Sequence, residues 1–64
     1  MKNLIPFFED KKIKYSQGVI FWRFQLNIDN NSNERNVECR DNISKYLTLY
    51  KEMDIFINEI KESN

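Results

Sequence analysis

The chain has 64 residues, ten basic and ten acidic side chains, no His, a single Cys and a single Gly. A chain of this length forms one small domain, and its lone Cys excludes an internal disulfide. Without His, a zinc site lacks ligands, and the neutral net charge removes any bulk attraction to phosphate or to anionic lipid. We therefore expect no metal, no cofactor and no enzymatic activity. Association with another chain is the remaining source of extra stability.

Residues 1–10 have no regular pattern, and their place in the fold cannot be assigned from the sequence. The apolar run from Leu4 to Phe8 is interrupted by Pro6, so it is too short for a signal peptide or a membrane span. We expect a cytoplasmic protein with no membrane association. Leu4, Phe7 and Phe8 are expected to cover an open edge of the core.

The central part of the chain has the alternation of a β-sheet. Residues 19–28 alternate between apolar and other side chains, residues 35–40 repeat the pattern with Val37 and Cys39, and residues 12–16 precede Gly18. A period of two predicts strands, and Gly suits a tight hairpin turn. The pattern predicts a three-stranded antiparallel meander over residues 12–40, with 19–28 as its central strand.

The C-terminal part has helical spacing. Apolar residues recur at steps of three and four from Ile43 onward, and Asp41 or Asn42 is a suitable N-cap. This predicts one helix over residues 42–62, packed across the apolar face of the sheet. The expected fold class is α+β, with element order β-β-β-α.

The apolar arc of this helix is wider than a small sheet can cover, which leaves a flank formed by Leu49, Phe56 and Ile60. Phe21 is expected to be exposed on the outer face of the sheet. Exposed apolar patches on small proteins mark protein-binding sites, so these four residues are the candidate partner-binding site of a non-catalytic protein-binding module. Two other uses of the flank stay open: coverage by residues 1–10, and formation of a homodimer.

The residue usage also suggests a source. The chain has no Ala and is rich in Asn, Ile, Lys, Phe and Tyr, all of which have AT-rich codons. We infer a low-GC genome and expect a phage or mobile-element protein that inhibits or regulates a host protein.

The alternative function is a nucleic-acid-binding module on the open sheet face. Phe21 would stack on a base while four cationic side chains hold the backbone phosphates. The neutral net charge makes this less favoured than protein binding. The cationic residues are Lys12, Lys14, Arg23 and Arg40.

Catalysis has weak candidates only. Asp54 lies at the margin of the helical apolar arc, where a carboxylate usually reaches water and is not tuned for acid–base chemistry. Cys39 is expected in the core, where a thiol without a neighbouring base acts as a small apolar side chain.

Overall fold

The computed structural model describes residues 2–28 and 30–63 and shows a helical hairpin. A single 3₁₀ turn over Lys2–Leu4 leads directly into helix α1, Ile5–Leu26, and a short turn connects it to helix α2, Asn33–Glu62. The two helices run antiparallel and make a rod whose Cα atoms extend over 51 × 14 × 10 Å.

The predicted α+β fold is wrong. The segment 12–40, expected to form a three-stranded meander, contains no strand among its described residues: it forms most of α1, the turn and the start of α2. Gly18 lies inside α1 and not in a hairpin turn. The stretch 42–62, predicted as the helix, lies within α2, which begins nine residues earlier.

One face of each helix packs against the other helix, and we call this contact the seam. On both faces the seam residues recur at alternating steps of three and four positions. This is the heptad spacing of helices that pack side by side. Every residue in these positions is buried or half-buried. They are Ile5, Phe8, Lys12, Tyr15, Val19, Trp22 and Leu26 on α1, and Asn36, Cys39, Ile43, Tyr46, Tyr50, Met53, Ile57 and Ile60 on α2.

The fully buried part of this seam is small. Among the described residues, only Val19, Cys39, Ile57 and Ile60 are buried, and Cys39 alone has no exposed surface. Two packed helices cannot enclose a side chain from all directions, so most seam residues keep one side in water. The hydrophobic stabilisation of a single hairpin is correspondingly limited.

The turn is fixed by side-chain contacts with the backbone. Oγ of Ser32 accepts a hydrogen bond from the backbone N–H of Arg35 at 3.1 Å and caps α2. Asn30 has a φ of 71°, which Asn tolerates better than most residues, and Nδ2 of Asn31 donates to the carbonyl oxygen of Gln25 at 2.7 Å.

The predicted start of the C-terminal helix was also wrong. Asp41 and Asn42, expected as N-caps, lie more than two turns inside α2, where Nδ2 of Asn42 donates to the carbonyl oxygen of Glu38 at 2.9 Å. The true cap is in the Asn-rich segment that the sequence pattern assigned to a β-hairpin loop.

Candidate protein-binding surfaces

A row of strongly exposed apolar residues lies on α1, on the side away from α2. Ile13, Ile20 and Phe24 are 55%, 66% and 69% exposed. They follow each other at seven and four residues, with Gln17 between them at the intervening helical position. At about 100° per residue, this row lies about 140° around α1 from the seam. We call these four residues the outer stripe.

The outer stripe was not predicted from the sequence, because the β pattern places Ile20 and Phe24 on the core face of a strand. A helical projection of residues 5–26 would have revealed it: most apolar residues fall in two rows, each with heptad spacing, and Phe7 and Phe21 lie to one side of both. That projection requires the helix assignment first.

The predicted partner-binding residues do not form one patch. Ile60 is buried, Leu49 is half-buried, and Phe56 is 42% exposed. Phe21 is exposed on α1, where its ring packs edge-on against Trp22 at 5.2 Å between centroids. Because Phe56 is level with Phe8, Phe21 lies 13 residues further along the rod, about 20 Å away at 1.5 Å per residue.

Phe56 and Ile60 instead belong to a cavity at the open end of the hairpin, meaning the end opposite the turn. The ring of Phe56 lies 5.7 Å from that of Phe8, so the N-terminal segment does reach the flank that the sequence analysis left exposed. It covers the flank only in part. A surface cavity of about 320 Å³ remains there, lined by Leu4, Phe8, Phe56, Glu59, Ile60 and Ser63.

The residues proposed for nucleic-acid binding are dispersed over the rod. The sheet face that was to carry them does not exist. Lys12 is in the seam, Arg40 is on α2, and Arg23 lies about 160° around α1 from Phe21. Lys14 is the one cationic residue of the set on the same side of α1 as Phe21, two turns away. The structure therefore leaves Phe21 with only Lys14 of the four cationic residues on its side of the rod.

The side chains that could take part in catalysis are engaged in structural contacts. Nζ of Lys12 lies 2.9 Å from Oδ1 of Asp54 and 4.9 Å from the ring centroid of Tyr50. The hydrogen bond to Asp54 raises the pKa of Lys12 above its usual 10.5. Asp54, the weak catalytic candidate, is thus engaged in an ion pair, and the Cys39 thiol is enclosed by the seam.

Within residues 2–28 and 30–63, no group of three acidic or Cys side chains is placed to hold a metal ion. Neither helix, over its described residues, combines the length and apolar character needed to cross a bilayer. The chain matches no protein-family model, no curated protein and no solved structure.

Proposed function

We propose that this protein is a non-catalytic protein-binding module whose open end receives an apolar side chain of a target protein. The observation that carries the proposal is the position of Phe56: it is 42% exposed and forms a wall of the 320 Å³ cavity. Protein interfaces are dominated by a few apolar anchors that enter such pockets.

The lining of the cavity favours an aliphatic or aromatic anchor. The tilted rings of Phe8 and Phe56, 40° apart, present carbon atoms along one side, and Leu4 adds a partly exposed aliphatic wall. The volume is at the lower end of the range of about 300–1,000 Å³ for ligand sites, which suits one side chain better than a larger ligand. Glu59 at the rim would repel an acidic residue beside the anchor.

The biological setting that we propose is inhibition or regulation of a host protein, in the host cytoplasm, by a phage or mobile-element product. It is supported by the residue usage of a low-GC genome and by a rod that offers apolar surface for binding. Inhibition by binding to the surface of another protein requires no catalytic group. The contacts made by the residues of the open end are sufficient.

A photo-crosslinking experiment tests the open end. A photoreactive phenylalanine analogue replaces Leu4, which is exposed at the cavity rim, and the protein is illuminated in cells of a low-GC bacterium. We expect a covalent adduct with another protein that is lost with Phe56→Glu. The matched control is Ile55→Glu, because Ile55 is the adjacent exposed apolar residue, 53% exposed against 42% for Phe56, and lies on a different side of α2.

Circular dichroism establishes that each variant is still helical. If Phe56→Glu unfolds the chain, the milder Phe56→Ala replaces it in the same assay. An adduct that forms equally with both position-56 variants, or that contains only a second copy of this chain, contradicts the proposed target site.

A further inference from the structure

We propose that the outer side of α1 binds the surface of an anionic lipid bilayer, with the rod lying flat and α2 directed away from the lipid. The lipid-binding surface consists of the outer stripe and of Phe21, which lies beside it on α1. None of these residues lines the cavity at the open end, so the proposal does not depend on the proposed function.

Four large apolar side chains are exposed together on this side of α1. Ile13, Ile20, Phe21 and Phe24 are each more than half exposed. At about 100° and 1.5 Å per residue, they share an arc of about 100° and span about 17 Å along the helix. A helix that lies in the membrane interface buries a face of this kind about 5–10 Å deep, at the boundary between headgroups and acyl chains.

The sequence around this surface is basic. Residues 11–28 contain four Lys or Arg side chains and no Asp or Glu. The acidic residues Glu9 and Asp10 precede Ile13 and limit the surface on its N-terminal side. The apolar side chains are therefore followed along the helix by cations only, which is the combination that attracts an anionic bilayer.

Two of these cations lie at the margins of the apolar surface. Lys14 and Arg23 are exposed, and they lie about 80° to one side and about 100° to the other side of Phe24 around the helix. From such positions a long side chain keeps its stem on apolar surface while its charged head reaches the lipid phosphates. A bilayer thus supplies both hydrocarbon and phosphate, whereas a nucleic acid would leave the apolar side chains without a partner of their kind.

The charges of the two helices determine how the rod lies on the lipid. Helix α1 has four basic and two acidic side chains, and α2 has five basic and seven acidic side chains. These opposite excesses cancel in the whole chain, which is why its net charge led us to expect no membrane association. An anionic surface attracts α1 and repels α2, so α1 lies against the lipid.

The small number of cations predicts reversible binding. A shallow apolar contact alone attaches a protein only weakly, and stable attachment takes a second contribution such as basic residues. The attraction of the cations is screened by salt, with a Debye length of about 10 Å at 0.1 M ionic strength. We therefore expect binding to strongly anionic bilayers at low salt and little binding to neutral ones.

Vesicle flotation of the full chain tests the proposal. The protein should float with vesicles of equimolar phosphatidylglycerol and phosphatidylcholine, dissociate as salt is added, and stay unbound with pure phosphatidylcholine. Ile20→Glu should lower the partition coefficient at least about tenfold. The matched control is Ile55→Glu, the same change at an exposed Ile of α2, which should lower it far less. Circular dichroism establishes that both variants are still helical.

Two double variants separate the position of the charges from the net charge. Lys14→Gln with Arg23→Gln removes the cations at the margins and should weaken binding by about fivefold for each cation, or about 25-fold together. Arg40→Gln with Lys51→Gln removes the same charge from exposed positions of α2 and should weaken binding much less. An equal loss in both double variants would overturn the assignment of the surface to α1.

An environment-sensitive fluorophore tests the orientation of the rod. It is attached to Gln17→Cys, within the outer stripe, or to Thr48→Cys, which is exposed on the side of α2 away from α1. The buried Cys39 is shielded from labelling. Anionic vesicles should raise and blue-shift the emission at position 17 only, and an equal change at position 48 would contradict the orientation. Protein that stays apart from anionic vesicles at low salt overturns the proposal, even if the outer stripe binds a nucleic acid, another protein or a second copy of this chain.

Discussion

Lys12 and Asp54 form an ion pair across the seam of the hairpin, with Nζ of Lys12 2.9 Å from Oδ1 of Asp54. Lys12 occupies a seam position whose neighbours along α1 are Phe8 and Tyr15, so it takes the place of an apolar residue. A polar residue at such a position fixes the register of two helices, because sliding one helix separates it from its partner. The ion pair therefore holds α1 and α2 in the register that brings their residues together at the open end.

The first prediction concerns alkaline pH. The hydrogen bond with Asp54 raises the pKa of Lys12, so the pair contributes its full stabilisation below the usual lysine pKa of 10.5. This contribution is lost as the pH rises through the raised pKa of the folded protein. Urea unfolding across the alkaline range should show the decrease.

The control for this prediction is Asp54→Asn, which removes the charge that favours protonated Lys12. Its unfolding free energy should be lower than that of the unchanged protein at neutral pH, and the difference between them should shrink above the pKa of Lys12. A difference that stays constant with pH would show that the ion pair does not determine the effect.

The β pattern in the sequence came from two apolar rows on one helix. Trp22 and Leu26 face the seam, while Ile20 and Phe24 belong to the outer stripe. Residues 20, 22, 24 and 26 therefore belong alternately to the two rows, which places an apolar side chain at every second position of the sequence. Because the rows are about 140° apart on the helix, this spacing imitates the 180° alternation of a strand. The C-terminal helix was easier to predict because its apolar residues lie mainly in one row.

Gly18 misled the sequence analysis in a different way. It was assigned to a turn, but its absent side chain serves a close approach of the two helices: a Cβ at this position would lie 3.0 Å from Cγ of Tyr46. The sequence does not show which residue of a distant segment approaches a glycine. Only the packing of α2 against α1 reveals this role.

The second prediction uses this contact. Gly18→Ala should improve the helix propensity of α1 by up to about 1 kcal/mol, but the new methyl group must displace the ring of Tyr46. We expect little gain, or a loss, in the unchanged background and a gain of about 1 kcal/mol when Tyr46→Ala removes the ring. Thermal unfolding of the four proteins of this double-mutant cycle, the unchanged chain, the two single variants and the double variant, measures the coupling.

The third prediction concerns the turn. Asn30 has positive φ, a backbone conformation that costs β-branched residues roughly 1–2 kcal/mol. Asn30→Val should therefore lower the unfolding free energy by about that amount, while Asn30→Gly should leave it nearly unchanged. Equal stability of both variants would contradict the role of this residue in the turn.

The fourth prediction concerns the cap of α2. Ser32 accepts a hydrogen bond from the backbone N–H of Arg35, so Ser32→Ala should cost about 1 kcal/mol of unfolding free energy. Ser32→Asp retains an acceptor at the helix N-terminus and should restore most of the loss. Chemical unfolding of the three proteins distinguishes capping from a general effect of changing the residue.

The candidate site was predictable only in part. Phe56 was identified as exposed because it lies at the margin of the apolar arc of a helix that the sequence correctly placed there. Leu4 and Phe8 were expected to cover an edge, but the cavity that they form with Phe56 depends on the antiparallel alignment of α1 with α2. The outer stripe was hidden by the strand assignment of the segment that carries it.

The last prediction concerns Arg35, whose guanidinium stacks 5.3 Å from the centroid of the Trp22 ring. The same group donates to Oε1 of Gln25 at 3.3 Å and to Oε1 of Glu38 at 2.8 Å, so it ties both helices beside the turn. Arg35→Ala should cost about 1 kcal/mol of unfolding free energy and shift the emission of Trp22, the sole Trp of the chain.

Two further variants separate the stacking from the charge of Arg35. Arg35→Lys keeps the charge but loses the planar group, so the emission shift should persist in this variant. The exposed Arg40 provides the control: Arg40→Ala removes an equal charge from α2 and should leave both the emission and the unfolding free energy close to those of the unchanged protein. If Arg35→Lys restores the emission of Trp22, charge alone positions the turn and the stacking contact is not required.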